Sequence, residues 1–134
     1  MAKKRKTQIT GNVGLFYACY QLSCLGWNVL STSKNTEGID IVAYSQDAKT
    51  KIAIQVKALS EKTGVPPMKK PRCLGDFWII IEEVATRPTA YIMNSEEVEN
   101  SFTSNEKGQY WIARKQYVKE LYKNAWSRLG NPET

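Results

Sequence analysis

The chain of 134 residues contains no histidine. That absence removes Ser–His and Cys–His nucleophilic catalysis, histidine general bases and His-ligated zinc together. Catalysis is left to carboxylates, lysine, amides, hydroxyls or a metal held by oxygen, and oxygen ligands favour magnesium or manganese over zinc. No stretch approaches the ~18 apolar residues that a membrane span requires. The basic start MAKKRKTQIT is not followed by an apolar segment, so it does not read as a secretory signal. Cysteine is scarce: Cys19, Cys24 and Cys73 form no CxxC pair. An odd number of cysteines without a signal points to reduced thiols and a cytoplasmic setting. Repeats and low-complexity segments are absent as well.

What is present is an uneven distribution of charge within a net +6. Residues 1–75 carry 12 Lys/Arg against 4 Asp/Glu, residues 76–106 carry 1 against 7, and residues 107–134 carry 6 against 2. The basic positions gather in Lys3–Lys6, in the segment from Lys62 to Arg72 and between Arg114 and Arg128. Such segregated basic surface attracts polyanions through counterion release without reading sequence, so nucleic acid is the expected partner. An ordinary soluble protein of high pI, with a solvated basic arm, has the same composition.

The length predicts one domain, residues 9–134, preceded by a flexible basic tail, residues 1–8. Thr10 is placed to N-cap a helix from about Gly11 to Leu25, whose apolar positions cover most of its circumference and predict near-complete burial. Gly26 suits the end of that helix. Gly11 and Gly14 suit close helix packing, since no Lys-Ser/Thr follows them as in a phosphate-binding loop. Strands are expected at Trp27–Ser31, Ile39–Tyr44 and Lys51–Ala58. From Leu59 to Gly75, Pro66, Pro67 and Pro71 forbid a helix and predict a long basic loop. The run FWIIIE, Phe77–Glu82, reads as a central strand, followed by a strand at Thr89–Asn94. Ser95 is placed to cap a short helix, Glu96–Ser101. A short strand is expected at Gln109–Ile112 and a basic helix over Arg114–Leu129, with Lys115, Lys119 and Lys123 along one side. The expected class is α/β, a mixed central sheet of about five strands flanked by helices. Trp27, Trp78, Tyr20 and Phe77 are expected in the core.

The segment GIDIVAYSQDAKTKIAIQVKA, Gly38 to Ala58, concentrates the chemistry. Asp40 sits between isoleucines. The alternation of Lys51–Lys57 puts Gln55 and Lys57 on one face and Ile52, Ile54 and Val56 on the other. Paired as a hairpin, these segments bring together a carboxylate, an amide oxygen and an ammonium. Such a group can hold a divalent cation beside a phosphodiester. Alternatively, Asp40 finishes a turn, and Gln55 and Lys57 form the wet face of an edge strand. The apolar neighbours of Asp40 favour a site, because an unpartnered carboxylate among them is costly.

The order helix–strand–strand–strand, with Asp opening the second strand and Gln-x-Lys closing the third, resembles the PD-(D/E)XK nuclease superfamily over roughly residues 9–94. The Gln-x-Lys form is similar to Mrr-type restriction enzymes, and the small size to Holliday-junction-resolvase-like members. The resemblance implies a restriction-endonuclease-like core and metal-dependent hydrolysis of DNA phosphodiesters, with Mg2+ or Mn2+ as cofactor. Asp40, Gln55 and the main-chain carbonyl of Val56 would bind the metal, and Lys57 would orient water or stabilise charge on the phosphoryl group. Glu37 and Asn12 are supporting candidates. Where many members carry a helix glutamate, this chain has Leu15. Lys62, Lys69, Lys70 and Arg72 are the expected DNA contacts. Specificity would come from DNA shape, a homodimer or a partner protein. Loss of catalysis would leave a nuclease-fold DNA-binding or accessory protein. A third reading is an interaction protein docking through its acidic 76–106 block.

Overall fold

A computed structural model describes residues 2–32 and 38–133. Helix α1 (Ala2–Leu25) leads into β1 (Asn28–Ser31), β2 (Ile41–Tyr44) and β3 (Lys51–Ala58). β4 (Val65–Met68) precedes β5 (Phe77–Glu82), β6 (Thr89–Asn94) and α2 (Ser95–Glu99). β7 (Thr103–Ser104), β8 (Tyr110–Ile112), α3 (Arg114–Tyr117) and a 3-10 turn (Trp126–Leu129) complete the chain. The class is α/β, and the main sheet has five strands in the order β1-β2-β3-β5-β6. Neighbours are antiparallel except β3 and β5, which run parallel with Gln55 opposite Trp78 and Lys57 opposite Ile80.

Helix α1 differs from expectation at its start. It begins at Ala2 rather than near Gly11, so residues 2–8 belong to the helix and Thr10 lies within it. The segment before Gly11 contains no glycine or proline and is rich in Lys and Arg, which are good helix formers. Burial is confined to one stripe, where Gly14, Ala18 and Leu22 face the sheet. A Cβ at Gly14 would stand 2.4 Å from the Ala58 Cβ, so glycine sets how closely α1 lies on β3. The other side is open: Phe16 is 67% and Tyr20 65% exposed, which corrects the expected near-complete burial and the core placement of Tyr20. Gly26, at φ +106°, closes the helix as its sequence position suggested.

The sheet is covered on both faces, and the alternation in β5 divides the core. Ile79 and Ile81 join Ile41, Ile54 and Leu22 on the α1 side, while Trp78 and Ile80 join Val65, Ile112 and Tyr117 on the other. A parallel β3–β5 pair requires a crossover, usually a helix. Here the prolines exclude one, and the expected loop contains β4, which pairs with β8 in a second sheet of order β4-β8-β7. A register shift between Val65 and Met68 accommodates the two prolines.

Two further expectations are corrected. Asn94, not Ser95, caps α2. Its side chain accepts from the Glu97 N–H while the Glu97 carboxylate accepts from the Asn94 N–H, a reciprocal box. The basic helix over Arg114–Leu129 is reduced to α3 and the 3-10 turn, so Lys115, Lys119 and Lys123 do not line one helical face. Between those pieces the chain covers the outer edge of β6. The Ile92 N–H donates to Tyr122 O and the Asn124 N–H to Ala90 O, bonds that a continuous helix could not offer. Among the described residues, no helix is long and apolar enough to cross a membrane.

Candidate functional site

Asp40 lies where β2 stops pairing through its main chain. Ile41 is in register with Ile54, and the Asp40 N–H also donates to the Ile54 carbonyl. Beyond that point the carboxylate replaces the backbone: Oδ2 accepts the Val56 N–H at 2.7 Å. In an extended residue the N–H and C=O point to the same edge, so the Val56 carbonyl shares this edge with Asp40. Thr32 braces the approach, donating through Oγ1 to Ile39 O at 2.6 Å and through its N–H to Asp40 O at 2.9 Å. Gly38, at φ +92°, is confined by Leu74, whose Cδ1 would stand 2.3 Å from an added Cβ.

A cavity of about 270 Å³ opens between this edge and α1, lined by Asp40, Val56 and Thr32 and by Gln8, Asn12 and Leu15. Asn12 and Leu15 thus line the same cavity as Asp40. Gln8 was missed because the helix was expected to start after it, although its spacing, one turn before Asn12, would have placed it on the same face.

Gln55 takes a different position from the one expected of a metal ligand. Its Oε1 accepts the Leu74 N–H at 2.9 Å and Trp78 Nε1–H at 2.7 Å, and the residue is 6% exposed. Two donors occupy both lone pairs of that oxygen, so Gln55 fastens the basic loop to the sheet rather than joining Asp40 at the cavity. Lys57 lies on the same strand face, its Nζ 4.9 Å from the centre of the Trp78 ring. Burial lowers the Lys57 pKa, opposed by the nearby Asp40 carboxylate. Burial likewise raises the Asp40 pKa, opposed by the Val56 N–H and by Lys57. Each charge is therefore partly desolvated and partly balanced by the other.

The basic loop is anchored where it returns to the sheet. Besides the Gln55 bond, Cys73 N–H donates to Glu99 Oε2 at 3.3 Å, and Asp76 exchanges bonds with Ala53, N–H to O at 2.7 Å and Oδ2 from N–H at 2.8 Å. Lys69, Lys70 and Arg72 are exposed just before these anchors. Lys62 is exposed at the loop's start, 3.8 Å from Glu83. Glu37 lies outside the described residues. All three cysteines are free.

Among the described residues, no three His, Cys, Asp or Glu side chains gather as metal ligands. The donors at the cavity are all oxygen: the Asp40 carboxylate, the Val56 carbonyl and the amides of Gln8 and Asn12. This set suits a hard dication that keeps several of its waters, such as Mg2+ or Mn2+, and lacks the nitrogen and sulfur donors zinc prefers. No family model matches the chain, and no curated protein and no solved structure is significantly similar to it.

Proposed function

We propose that the protein is a cytoplasmic, metal-dependent DNA endonuclease of restriction-endonuclease-like type that hydrolyses phosphodiester bonds. The observation that carries this reading is the partly buried Asp40 carboxylate, held by the Val56 N–H beside an open cavity and electrostatically coupled to Lys57. The topology supports it: a helix followed by three antiparallel strands has the order of the resemblance. Asp40 and the Val56 carbonyl would hold Mg2+ or Mn2+, with Gln8 and Asn12 contributing amide oxygens or ordering its waters. A bound dication supplies charge stabilisation at the phosphoryl group and an activated water. Lys57 keeps a positive charge near the reacting phosphate, Trp78 holds its position from below, and Gln55 fixes the loop that presents Lys69, Lys70 and Arg72 to the DNA backbone. Specificity would come from DNA shape, a homodimer or a partner protein.

One observation favours a second reading. Leu15 faces the cavity where a carboxylate would strengthen metal binding, and Gln55 is committed elsewhere. A nuclease-fold DNA-binding protein without catalysis would carry such a site. Incubation with supercoiled plasmid and branched DNA in Mg2+ or Mn2+, with Asp40→Asn and Lys57→Met in parallel, separates the two. Metal-dependent cleavage lost in both variants is expected. Salt-sensitive binding without cleavage in either metal replaces the enzyme with the binding protein.

A further inference from the structure

The solvent side of α1 is apolar where a surface helix is normally polar. Ile9, Phe16 and Tyr20 are 51%, 67% and 65% exposed, whereas Ala18, on the opposite side of the helix, is fully buried against the sheet. With the half-buried Val13 they follow one another at steps of four, three and four residues, the spacing of a helix–helix seam. Residues three and four apart are neighbours on a helix, so these side chains form one stripe rather than scattered exposure.

The two ends of the helix differ in charge. Its first turns include Lys3, Lys4, Arg5 and Lys6, and the whole helix contains no Asp or Glu. At the other end the exposed Glu133 stands beside Gly26, its Cγ 3.9 Å from the position of an added Cβ. The helix dipole adds negative potential at that end and positive potential at the basic one.

We propose that α1 is the interface of a symmetric homodimer, in which two copies of the helix lie antiparallel with their apolar stripes in contact. The stripe is centred between Val13 and Phe16. A two-fold axis at that point sets Ile9 of one copy opposite Tyr20 of the other, and Val13 opposite Phe16. The same register brings the turn that carries Lys3 and Lys4 over Leu25 and Gly26 of the second copy, where Glu133 and the negative end of the dipole stand. A parallel pair would instead set the two basic ends against each other. Phe16 and Tyr20 are aromatics of roughly 150–250 Å² each, so with Ile9 they would withdraw on the order of 700 Å² from water over two copies. That is roughly half of a small specific interface, the helix flanks supplying the rest, and the pair is expected to be reversible at about micromolar concentration. The stripe itself carries neither cation nor amide with which to meet a phosphate backbone, so a second copy suits it better than nucleic acid. The dimer does not rest on the nuclease reading.

The test is sedimentation velocity of the full chain over about 1–200 μM, without DNA or metal. A reversible monomer–dimer equilibrium is expected. Phe16→Glu enters the interface twice and is expected to weaken the dimer at least about a hundredfold. Because Phe16 is exposed in the single chain, the melting temperature of this variant at low concentration should match wild type. Lys3→Glu with Lys4→Glu should weaken the dimer about fivefold, and adding Glu133→Lys to that pair should recover most of the loss. A chain that stays monomeric throughout, a dimer indifferent to Phe16→Glu, or charge variants that do not compensate each overturn the proposal. Phe16-dependent co-sedimentation of a monomeric chain with phosphatidylcholine–phosphatidylserine vesicles also overturns it, by giving the stripe to a lipid surface. Because cleavage is not read, a failed plasmid assay removes the nuclease reading and leaves the dimer, and a monomer that cleaves removes the dimer alone.

Discussion

The carboxylate of Asp40 accepts the main-chain N–H of Val56 at 2.7 Å, so a side chain completes the ladder where β2 has ended. The same oxygen pair borders the cavity beneath α1. One residue thus closes the sheet and offers the only carboxylate that the described residues supply to that cavity.

This arrangement sets a pH dependence. The folded pKa of Asp40 is raised by burial, so the stability it contributes is present when it is protonated and is lost as pH rises through that folded value. Asp40→Asn keeps an acceptor for Val56 and does not titrate. Its stability relative to wild type should therefore increase between about pH 3 and pH 7, as read by urea unfolding at each pH. A relative stability that falls over this range would show that the Lys57 charge outweighs desolvation.

Gln55 is predicted to be structural. In Gln55→Leu the buried Trp78 Nε1–H and the Leu74 N–H lose their acceptor, costing about 2 kcal/mol or more. Gln55→Glu retains the acceptors and should fold normally. Adding Trp78→Phe to Gln55→Leu removes one orphaned donor, so the double variant should lose less than the sum of the two, measured as a double-mutant cycle.

The glycines of α1 should behave oppositely. Gly14→Ala places a Cβ 2.4 Å from that of Ala58, and the helix must shift at a cost of about 1–3 kcal/mol. Ala58→Gly in the same chain should recover part of that loss. At Gly11 an added Cβ meets nothing within 4 Å, so Gly11→Ala should stabilise the helix by about 0.5–1 kcal/mol. Thermal melts of the three variants check both signs.

Arg128 fastens the C-terminal segment. Its guanidinium holds Glu97 through two bonds, at 2.8 and 2.7 Å, and donates to Ile92 O at 2.7 Å. Arg128→Ala should cost about 2 kcal/mol and open the segment after Tyr117 to limited proteolysis. The Arg128 hydrogen bonds hold the Glu97 pKa below the usual range, so this contribution is present above the unfolded pKa and lost as pH falls through the folded one. Acid should therefore narrow the gap between Arg128→Ala and wild type, the reverse of the Asp40 signature.

Strands that bury both faces were the most legible parts of the chain. Lys51–Ala58, Phe77–Glu82 and Thr89–Asn94 occupy the residues that their apolar patterns predicted, because core strands answer chiefly to burial. Elements at the margin followed other demands. VPPM reads locally as a breaker, yet it pairs at a sheet edge where a missing N–H is tolerated. The Arg114–Leu129 segment reads as helix, yet the open edge of β6 required partners more than the segment required its own turns. Of the residues that line the Asp40 cavity, Asp40 was singled out by its apolar neighbours, and Asn12 and Leu15 by the resemblance. Gln8 was hidden by a helix start placed too late.

The sequence by itself determined the chemistry available: without histidine, with segregated basic blocks and with Asp40, Gln55 and Lys57 on paired strands, oxygen and ammonium are the groups that remain. Tertiary structure alone decided how they are used. An amide oxygen goes to whichever donors lie nearest once the chain is packed, and for Gln55 those are the Leu74 N–H and the Trp78 indole, brought to it by a crossover and a parallel strand 23 positions away in sequence. Asp40 acquired the edge, the cavity and the helix amides in the same way, through contacts that no local pattern encodes.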